Sequence, residues 1–239
     1  MKKLLINSDV GEGVLRESDL MFYLRSCSVA CGGHFGDTES MRKTVKLAID
    51  NNVLVGAHPS YPDRVNFGRK EMFINLLDLK NSLHDQISSL LEVMSEFGIN
   101  KLHHVKAHGA LYNKCVIDVD LATLYVDVVK CYDNVKIYAP YGSVVSKIAK
   151  ENGVEVDYEV FLDRNYNDNH TLLSRNEVNS MILNPSKMLL RYNRVMGSSK
   201  IKTISNKLIK TIGNTFCVHG DTDDSHLLLK DLYKNYFTK

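Results

Sequence analysis

Residues 103–113 (HHVKAHGALYN) bring imidazole, ammonium, phenol and carboxamide groups together within one short stretch. The stretch begins as a predicted strand and places Lys106 and His108 where that strand ends. Polar side chains of this kind are buried only when they are hydrogen-bonded. Taken alone, the stretch is equally consistent with a strand end whose polar groups satisfy one another and with a site for acid–base or anion-binding chemistry.

The same pattern, a short apolar strand followed by polar side chains, recurs along the chain. Parallel α/β proteins form their sites at the carboxyl ends of the strands, so residues there can converge on one substrate. Carboxylates and imidazoles gathered in this way suit general acid–base catalysis or metal binding. Besides Lys106 and His108, the predicted strand ends supply Asp9, Glu12, His34, His58, Glu159, Asp163, His219 and Asp221.

Several of these residues also have a simpler interpretation. Asp9 and Glu12 form a carboxylate pair that could serve as a base, as metal ligands or as a turn cap. His58 precedes Pro59, which favours an extended backbone, and it either acts in the site or orients its loop. Arg64 and Arg69 lie in a loop rich in turn formers, where they either bind a carboxylate or face solvent.

Hydrophobic periodicity predicts about seven strands that alternate with helices. The predicted strands are residues 4–9, 26–31, 53–57, 102–105, 135–139, 154–162 and 215–218. The main predicted helices cover 18–25, 76–94, 121–131 and 143–152, with one more that follows an N-cap at Asp37 and a last one that ends at Phe237. Residues 165–176 are predicted to be a mobile loop, and 201–204 and 208–212 to pair as a hairpin. This alternation, without a linker, predicts one α/β domain over residues 1–239 with a parallel sheet.

Composition and charge exclude some classes of function. The formal net charge of +2 gives no basis for binding nucleic acid or an acidic membrane. Five cysteines without a CxxC pair are typical of free thiols in a reducing compartment. We find no apolar run of membrane-spanning length and no signal peptide, so a cytoplasmic protein is expected. Neither a GxxxxGK[ST] motif nor a GxGxxG motif after a strand is present, so no standard nucleotide-binding loop can be identified.

Six longer blocks of sequence carry a resemblance to a known family. They are INSDVGEG (6–13), SVACGGHFGD (28–37), VGAHPSYPDRVNFGR (55–69), HVKAHGALYN (104–113), EVFLDRNYND (159–168) and FCVHGDT (216–222). In order and in spread over the chain, these blocks resemble the signature blocks of the LamB/YcsF lactam-utilisation family, whose members serve as the A-type subunit of bacterial 5-oxoprolinase.

This resemblance implies a distorted (β/α) barrel related to the glycoside hydrolase and polysaccharide deacetylase type. It also implies an enzyme that uses ATP as a co-substrate to open a small lactam, 5-oxoproline (pyroglutamate), to L-glutamate. The activity would require two partner subunits, of the B and C types. The sequence leaves open whether ATP binds this chain and whether the chain forms a homo-oligomer.

Carried over position by position, the resemblance makes Asp9, Glu12, His58, Lys106 and His108 the expected catalytic residues. The residues expected to bind substrate are His34, Arg69, Asn113, Glu159, Asp163, Arg164, His219 and Asp221. Asp37 also falls on a matched position. Three places depart from the usual family pattern: Gly33 and Phe35 around His34, Ala107 in place of a proline, and Ser8 in place of a cysteine.

An unstrained five-membered lactam is a poor electrophile, and phosphorylation of its oxygen would create a good leaving group. Lys106 and an arginine are then expected to hold anionic oxygens, while His58, His108 or Asp9 activates water. Replacing Lys106 or His108 by Ala is expected to abolish activity with the fold intact.

Two alternatives remain open at this stage. One is a metal-dependent deacetylase or amidohydrolase, with Asp9, His34 and His58 as the candidate ligands of a divalent ion. The other is a non-catalytic scaffold within a larger complex.

Overall fold

Seven parallel strands close into a barrel in the computed structural model, which describes residues 4–175, 177–221 and 224–237. Neighbouring strands follow one another along the chain, and the last strand closes the ring between the sixth and the first. The barrel strands are β1 (Ile6–Val10), β2 (Ser26–Ala30), β3 (Leu54–His58), β4 (His104–Val105), β5 (Lys136–Ala139), β6 (Val156–Phe161) and β9 (Thr215–Cys217). The predicted α/β barrel of about seven parallel strands is confirmed.

Helices pack around this barrel and connect its strands. They are α1 (Glu17–Met21), α2 (Thr38–Asp50), α3 (Leu76–Ser95), α4 (Gly109–Cys115), α5 (Val119–Val129), α6 (Val144–Glu151), α7 (Pro185–Ser198) and α8 (Ser225–Phe237). The predicted hairpin is also present, as the antiparallel pair β7 (Lys200–Lys202) and β8 (Leu208–Lys210). In the described part of the chain, no helix is both long enough and apolar enough to cross a bilayer.

The strands are short runs of small and apolar residues because both of their faces are covered. Every residue of β1 and β2 is buried, as is usual where helices cover the outside of a parallel sheet. The longest covering helix, α3, buries a single stripe. In α3, this stripe includes Leu79, Leu83, Ile87 and Leu90, which follow the helical repeat.

Two helices and one strand differ from the sequence-based prediction. Neither α4 nor α7 was predicted, although α7 begins with Pro185 after the capping side chain of Asn184, which is a helix-start signal. The predicted strand 102–105 is reduced to the two residues of β4. His103 keeps single backbone hydrogen bonds to Val55 and Lys136, but regular pairing does not extend to it.

The loop that follows β6 is irregular, as predicted for residues 165–176. Tyr166 bridges to Leu172 within it, and Arg164 bridges to Met181 beyond it. The mobility of this loop stays a prediction, and residue 176 lies outside the described residues.

A buried histidine with polar and aromatic neighbours lies inside the barrel. A ring nitrogen of His104 lies 3.0 Å from Ser28 Oγ, and its ring stacks on Tyr138 with 3.7 Å between centroids. Gly56 makes room for this ring, because a Cβ atom there would lie 2.3 Å from it. Burial and the neighbouring His103 lower the pKa of His104 well below its usual range.

This lowered pKa should make the protein less stable as the pH falls. The unfolded chain takes up a proton at a pH near 6.5, whereas folded His104 takes it up only at lower pH, so acidification favours unfolding in that window. We expect His104→Phe to reduce the pH dependence of the unfolding free energy by up to about 1.4 kcal/mol per pH unit below pH 6.5. Urea denaturation at several pH values measures this slope. His84→Gln, on the outer helix α3, is the control, and an unchanged slope in His104→Phe would contradict the account.

Asp37 caps α2 and lies on the surface. Its side chain accepts a hydrogen bond from the Ser40 backbone N–H at 2.8 Å, and the Ser40 hydroxyl contacts the Asp37 backbone in return. This capping box confirms the predicted N-cap and satisfies two backbone groups at the helix start.

We expect Asp37→Ala to act on stability alone. Loss of the cap should lower the thermal midpoint by about 2–4 °C, whereas Glu39→Gln in the same helical turn should change it less. Thermal unfolding measures the difference. A large loss of activity in folded Asp37→Ala protein would instead give this matched family position a role in the site.

Candidate active site

A cavity of about 550 Å³ opens at the carboxyl ends of the barrel strands. Of the residues predicted for the site, those that line it are Asp9, Glu12, His58, Arg69, Lys106, His108, Asn113, Arg164 and His219. The other four contact these lining residues: His34 contacts Glu12, Glu159 contacts Lys106, Asp163 contacts His219, and Asp221 contacts Arg69. The structure therefore brings together side chains from the ends of six barrel strands or the loops that follow them, and β5 supplies none of this predicted set.

Lys106 is buried between carboxylates from two other strands. Its ammonium donates to both oxygens of Asp9, at 2.9 and 3.1 Å, and to Cys217 Sγ at 3.3 Å. Glu159 Oε1 lies 2.8 Å from the same ammonium, and the ring centroid of Phe161 lies 4.9 Å from it. Lys106 therefore links the ends of β4, β1 and β6 across the barrel.

The surroundings of this ion pair keep both of its partners charged. Burial by itself would raise the pKa of Asp9, but the positive charges of His58 and Lys106 hold that pKa well below its usual range. Burial would also lower the pKa of Lys106, but Asp9 and Glu159 raise it well above its usual range. Both partners of a buried ion pair are needed, because either one alone would be an uncompensated buried charge.

Three histidines form a second cluster around Glu12. Glu12 Oε1 lies 3.0 Å from His34 Nε2, 3.4 Å from His108 Nδ1 and 3.8 Å from His58 Nε2. His58 Nε2 also lies 3.0 Å from His108 Nδ1 and 3.3 Å from Asp9 Oδ2. The rings of His34 and His108 stack with 3.7 Å between centroids and 3° between planes.

Backbone carbonyls determine how two of these rings are protonated. His58 Nδ1 lies 2.8 Å from the Lys106 carbonyl and His108 Nε2 lies 2.9 Å from the Phe67 carbonyl. A carbonyl oxygen only accepts, so both of these nitrogens carry hydrogen and the two nitrogens that face each other are the remaining ones. Burial would lower the pKa of His58, but Asp9 raises it, whereas burial and then His58 itself lower the pKa of His108 well below its usual range. In this state His58 is the donor and His108 the acceptor.

His219 forms a carboxylate–imidazole pair with Asp163. Asp163 accepts from the ring nitrogen Nδ1 at 2.9 Å and from the His219 backbone N–H at 2.8 Å. The ring packs on Phe161 with 5.1 Å between centroids. Burial would raise the pKa of Asp163, but His219 lowers it. Because Nδ1 is used by Asp163, the opposite nitrogen Nε2 is the one available to a ligand.

Arginines form the other wall of the cavity. Arg69 and Arg175 both donate to Asp221, at 2.5 and 2.7 Å. Arg164 is buried and donates to the Leu173 carbonyl at 2.5 Å, but its Nε atom has no hydrogen-bond partner among the described residues. Burial and the neighbouring Arg175 lower the pKa of Arg164. This guanidinium therefore has an unused donor, and no carboxylate in the described part of the chain forms an ion pair with it, although Asp163 and Asp221 act to raise its pKa.

Sequence reasoning did not single out Arg175 or Phe161. Arg175 lies in the irregular loop after β6, where no motif marks it, and its proximity to Asp221 depends on the tertiary path of that loop. Phe161 is an ordinary apolar residue at the end of β6, but it contacts both Lys106 and His219. Cys217 contacts the Lys106 ammonium, and burial raises the pKa of its thiol well above its usual range.

Three of the residues that differ from the usual family pattern, Gly33, Phe35 and Ser8, have identifiable neighbours in the structure. A Cβ atom at Gly33 would lie 2.2 Å from Gln86 Oε1, because the Gln86 side chain is bound there to the backbone of Ser60. The ring of Phe35 instead approaches Phe67, with 5.8 Å between centroids. The hydroxyl of Ser8 donates to the Val218 carbonyl at 2.7 Å.

Two groups of potential metal-ligating atoms occur in the described part of the chain. One contains Glu12, His34, His58 and His108, and the other contains Asp9, Cys217 and His219. The ligand set considered from the sequence, Asp9 with His34 and His58, is therefore divided between them, although Asp9 and His58 are in contact.

Comparison with known proteins places this geometry in a family. A model of the LamB/YcsF family matches residues 4–238. The chain belongs to this family. A protein of Thermococcus sibiricus, named as the A-type subunit of 5-oxoprolinase, is 39% identical over 227 residues, which cover 92% of this chain and 88% of the relative. A Campylobacter jejuni protein of the same name is 36% identical over 241 residues, which cover 98% and 94%.

Solved structures support the same assignment of the fold. The crystal structure of a lactam utilization protein from Thermus thermophilus matches with a TM-score of 0.88 and 28% identity, covering 99% of this chain and 98% of that one. A putative cellobiose-phosphate cleavage protein from Enterococcus faecalis matches with a TM-score of 0.56 and 15% identity, covering 91% and 80%. At that identity the second likeness shows the barrel fold alone.

Because Lys106 is buried, its replacement should lower the free energy of unfolding as well as the activity. Lys106→Met leaves the carboxylates of Asp9 and Glu159 buried near each other, and loss of one partner of a buried ion pair typically costs about 3–5 kcal/mol. We expect this loss in urea denaturation at neutral pH.

The matched control is Lys114→Met, which removes a partly exposed ion pair with Glu71 and should cost about 1 kcal/mol or less. The double variant Lys106→Met/Glu159→Gln should recover part of the loss, because it removes one of the two unpaired charges. A Lys106→Met protein as stable as the wild type would rule out the ion pair as a structural element.

Proposed function

We propose that this chain is the A-type subunit of a 5-oxoprolinase, in which its cavity opens 5-oxoproline to L-glutamate with ATP as the co-substrate of the assembled complex. The observation that carries the proposal is the division of the cavity lining into two regions. One is an acid–base floor, made of Asp9, Glu12, His58, Lys106, His108 and His219, and the other is an arginine wall, made of Arg69, Arg164 and Arg175. Relatives that carry the name of this 5-oxoprolinase component, 36–39% identical over most of the chain, support it. The other subunits would be of the B and C types.

The arginine wall suits the carboxylate of the substrate. Arg164 offers an unused Nε–H donor in a buried position, and Arg175 adds a second guanidinium beside it. A carboxylate would form the ion pair that Arg164 lacks within the described part of the chain, and hydrogen bonds of this charge-assisted type are stronger than neutral ones. With its carboxylate held there, the lactam ring of 5-oxoproline would lie towards Lys106, Asp9 and His219.

The floor suits proton transfer during ring opening. His219 is oriented by Asp163 so that its free nitrogen can take a proton from the attacking water and return it to the departing lactam nitrogen, as a base and then an acid. Lys106 supplies positive charge near the carbonyl, where negative charge develops in the transition state. Asp9 would hold Lys106 in place and would not act as the base, because its low pKa makes it a weak base.

ATP would contribute the activation that the amide itself lacks. An unstrained lactam resists water at neutral pH, and transfer of the terminal phosphoryl group of ATP to its oxygen, with release of ADP, would make the carbonyl carbon a far better electrophile. Attack of water and departure of the ring nitrogen would then give an acyl phosphate, and a second water would hydrolyse it to L-glutamate and phosphate. The steps proposed for the residues of this chain are substrate binding, orientation and proton transfer.

Substitutions in the floor and the wall should have different kinetic effects in the complex assembled with the two other subunits. We expect His219→Gln to lower kcat by about 10²- to 10⁴-fold, with little change in KM, because it removes a proton-transfer group. Arg164→Met should mainly raise KM, by roughly 10- to 100-fold, because it removes a charged hydrogen bond to bound substrate. Both are measured as glutamate release against 5-oxoproline concentration.

Arg64→Met is the matched control, because Arg64 is an exposed arginine on the loop that also carries Arg69. Its kinetics should equal those of the wild type. Full turnover in both the His219 and Arg164 variants, in complexes that assemble normally, would show that the chemistry lies outside this cavity and would favour a scaffold role for the chain.

A further inference from the structure

The nitrogens that His58 and His108 turn towards each other need a cation between them. In each ring the other nitrogen donates to a backbone carbonyl, of Lys106 at 2.8 Å and of Phe67 at 2.9 Å. Neutral rings held in this way present two lone pairs that face each other across 3.0 Å. Either an extra proton or a metal ion must separate them.

A third donor atom completes a triangle with these nitrogens. Glu12 Oε1 lies 3.4 Å from His108 Nδ1 and 3.8 Å from His58 Nε2. With the 3.0 Å edge between the two nitrogens, a point equidistant from all three atoms lies about 2.0 Å from each, which matches the bond lengths of zinc to histidine and carboxylate ligands. That point lies in the plane of the three atoms, so the tetrahedral arrangement that zinc prefers requires small side-chain rotations that let the ion lie above the plane.

The charge around the triangle also favours a dication. Glu12 is buried, and its ion-pair partners in the described ranges 4–175, 177–221 and 224–237 are all histidines. The adjacent carboxylates Asp9 and Glu159 share Lys106 as their ammonium partner. Glu12, Asp9 and Glu159 thus carry three negative charges against the one ammonium of Lys106, and a divalent ion bound to neutral histidines would balance them.

His34 belongs to the surroundings of this triangle. Its ring is parallel to that of His108 at 3.7 Å, and two stacked rings cannot both direct an in-plane lone pair at the same ion. Its Nε2 atom, 3.0 Å from Glu12 Oε1, instead donates to the carboxylate and orients it, as outer partners of metal ligands commonly do. The three proposed ligands line the cavity, so free coordination positions would face a substrate.

We infer that His58 Nε2, His108 Nδ1 and Glu12 Oε1 form a binding site for one divalent transition-metal ion, of the two-histidine, one-carboxylate type. Zinc suits this ligand set, which in other proteins leaves coordination positions open for water or substrate. The inference concerns binding and does not depend on the reaction proposed above. Its failure would leave the proposed 5-oxoprolinase activity untouched.

The test is metal binding by the purified chain. Protein prepared without chelators is analysed for metal content, then stripped and titrated with Co²⁺ and Zn²⁺. We expect one ion per chain, and visible Co²⁺ absorption of a nitrogen–oxygen site without a thiolate charge-transfer band. Zinc X-ray absorption of the wild type should show nitrogen and oxygen neighbours and no sulfur, which does not depend on any variant folding.

Variants locate the ion. His108→Gln and Glu12→Gln should each weaken binding by more than the roughly 10- to 100-fold typical of a lost outer partner, and His34→Gln should fall within that range. His84→Gln on α3 and Cys217→Ser should bind as the wild type does. Circular dichroism confirms that each variant is folded.

Three outcomes would overturn the inference. Absence of stoichiometric binding would mean that a shared proton alone separates His58 and His108. A sulfur neighbour, or binding lost in Cys217→Ser, would place the ion at the second donor group of Asp9, Cys217 and His219. Unchanged affinity in both His108→Gln and Glu12→Gln would place it elsewhere.

Discussion

The ion pair of Lys106 with Asp9 and Glu159 is the constraint on which the rest of the site depends. A fully buried ammonium is stable only if carboxylates meet it at hydrogen-bond distance, and here they come from β1 and β6, on either side of the barrel from β4. The contact therefore requires the ring of strands to be closed. Asp9 also contacts His58, and Phe161, which lies against Lys106, also packs on His219, so the acid–base groups contact the residues around this ion pair.

The cavity separates charge in a way that fits a small anionic amide. Its floor combines carboxylates, histidines and one ammonium, whereas its wall carries guanidinium groups that share Asp221. A substrate with a carboxylate at one end and an amide at the other would satisfy both regions at once. The same two regions also explain the strong pKa shifts, because buried charges there can be stabilised only by each other.

Much of the fold was predictable because strands and helices leave patterns in short stretches of sequence. Short apolar strands that end in glycine or polar residues, alternating with amphipathic helices, identify a parallel α/β protein, and parallel topology brings Asp9, His58, Lys106 and His219 to one end of it. The sequence did not indicate which of these residues would be partners. Asp9 and Glu12 were considered as a pair, but in the structure Asp9 serves Lys106 and Glu12 serves the histidines.

Other parts of the site depend on long-range packing that no local pattern encodes. Arg175 contacts Asp221 because of the path of an irregular loop. Phe161 belongs to the site because its ring contacts Lys106 and His219. α7, by contrast, carried a recognisable start signal in Asn184 and Pro185. Local sequence patterns thus predict the helices, the strands and the location of the site. Tertiary contacts determine which side chains pair within the site, and therefore its chemistry.

The central claim is that this cavity opens 5-oxoproline, and glutamate release by the complete complex tests it most directly. The wild-type chain is combined with the two other subunits, and glutamate is measured with and without ATP, and with this chain omitted. The account predicts glutamate only when both ATP and the chain are present. Glutamate formed at the same rate without this chain, or none from a correctly assembled complex, would contradict it.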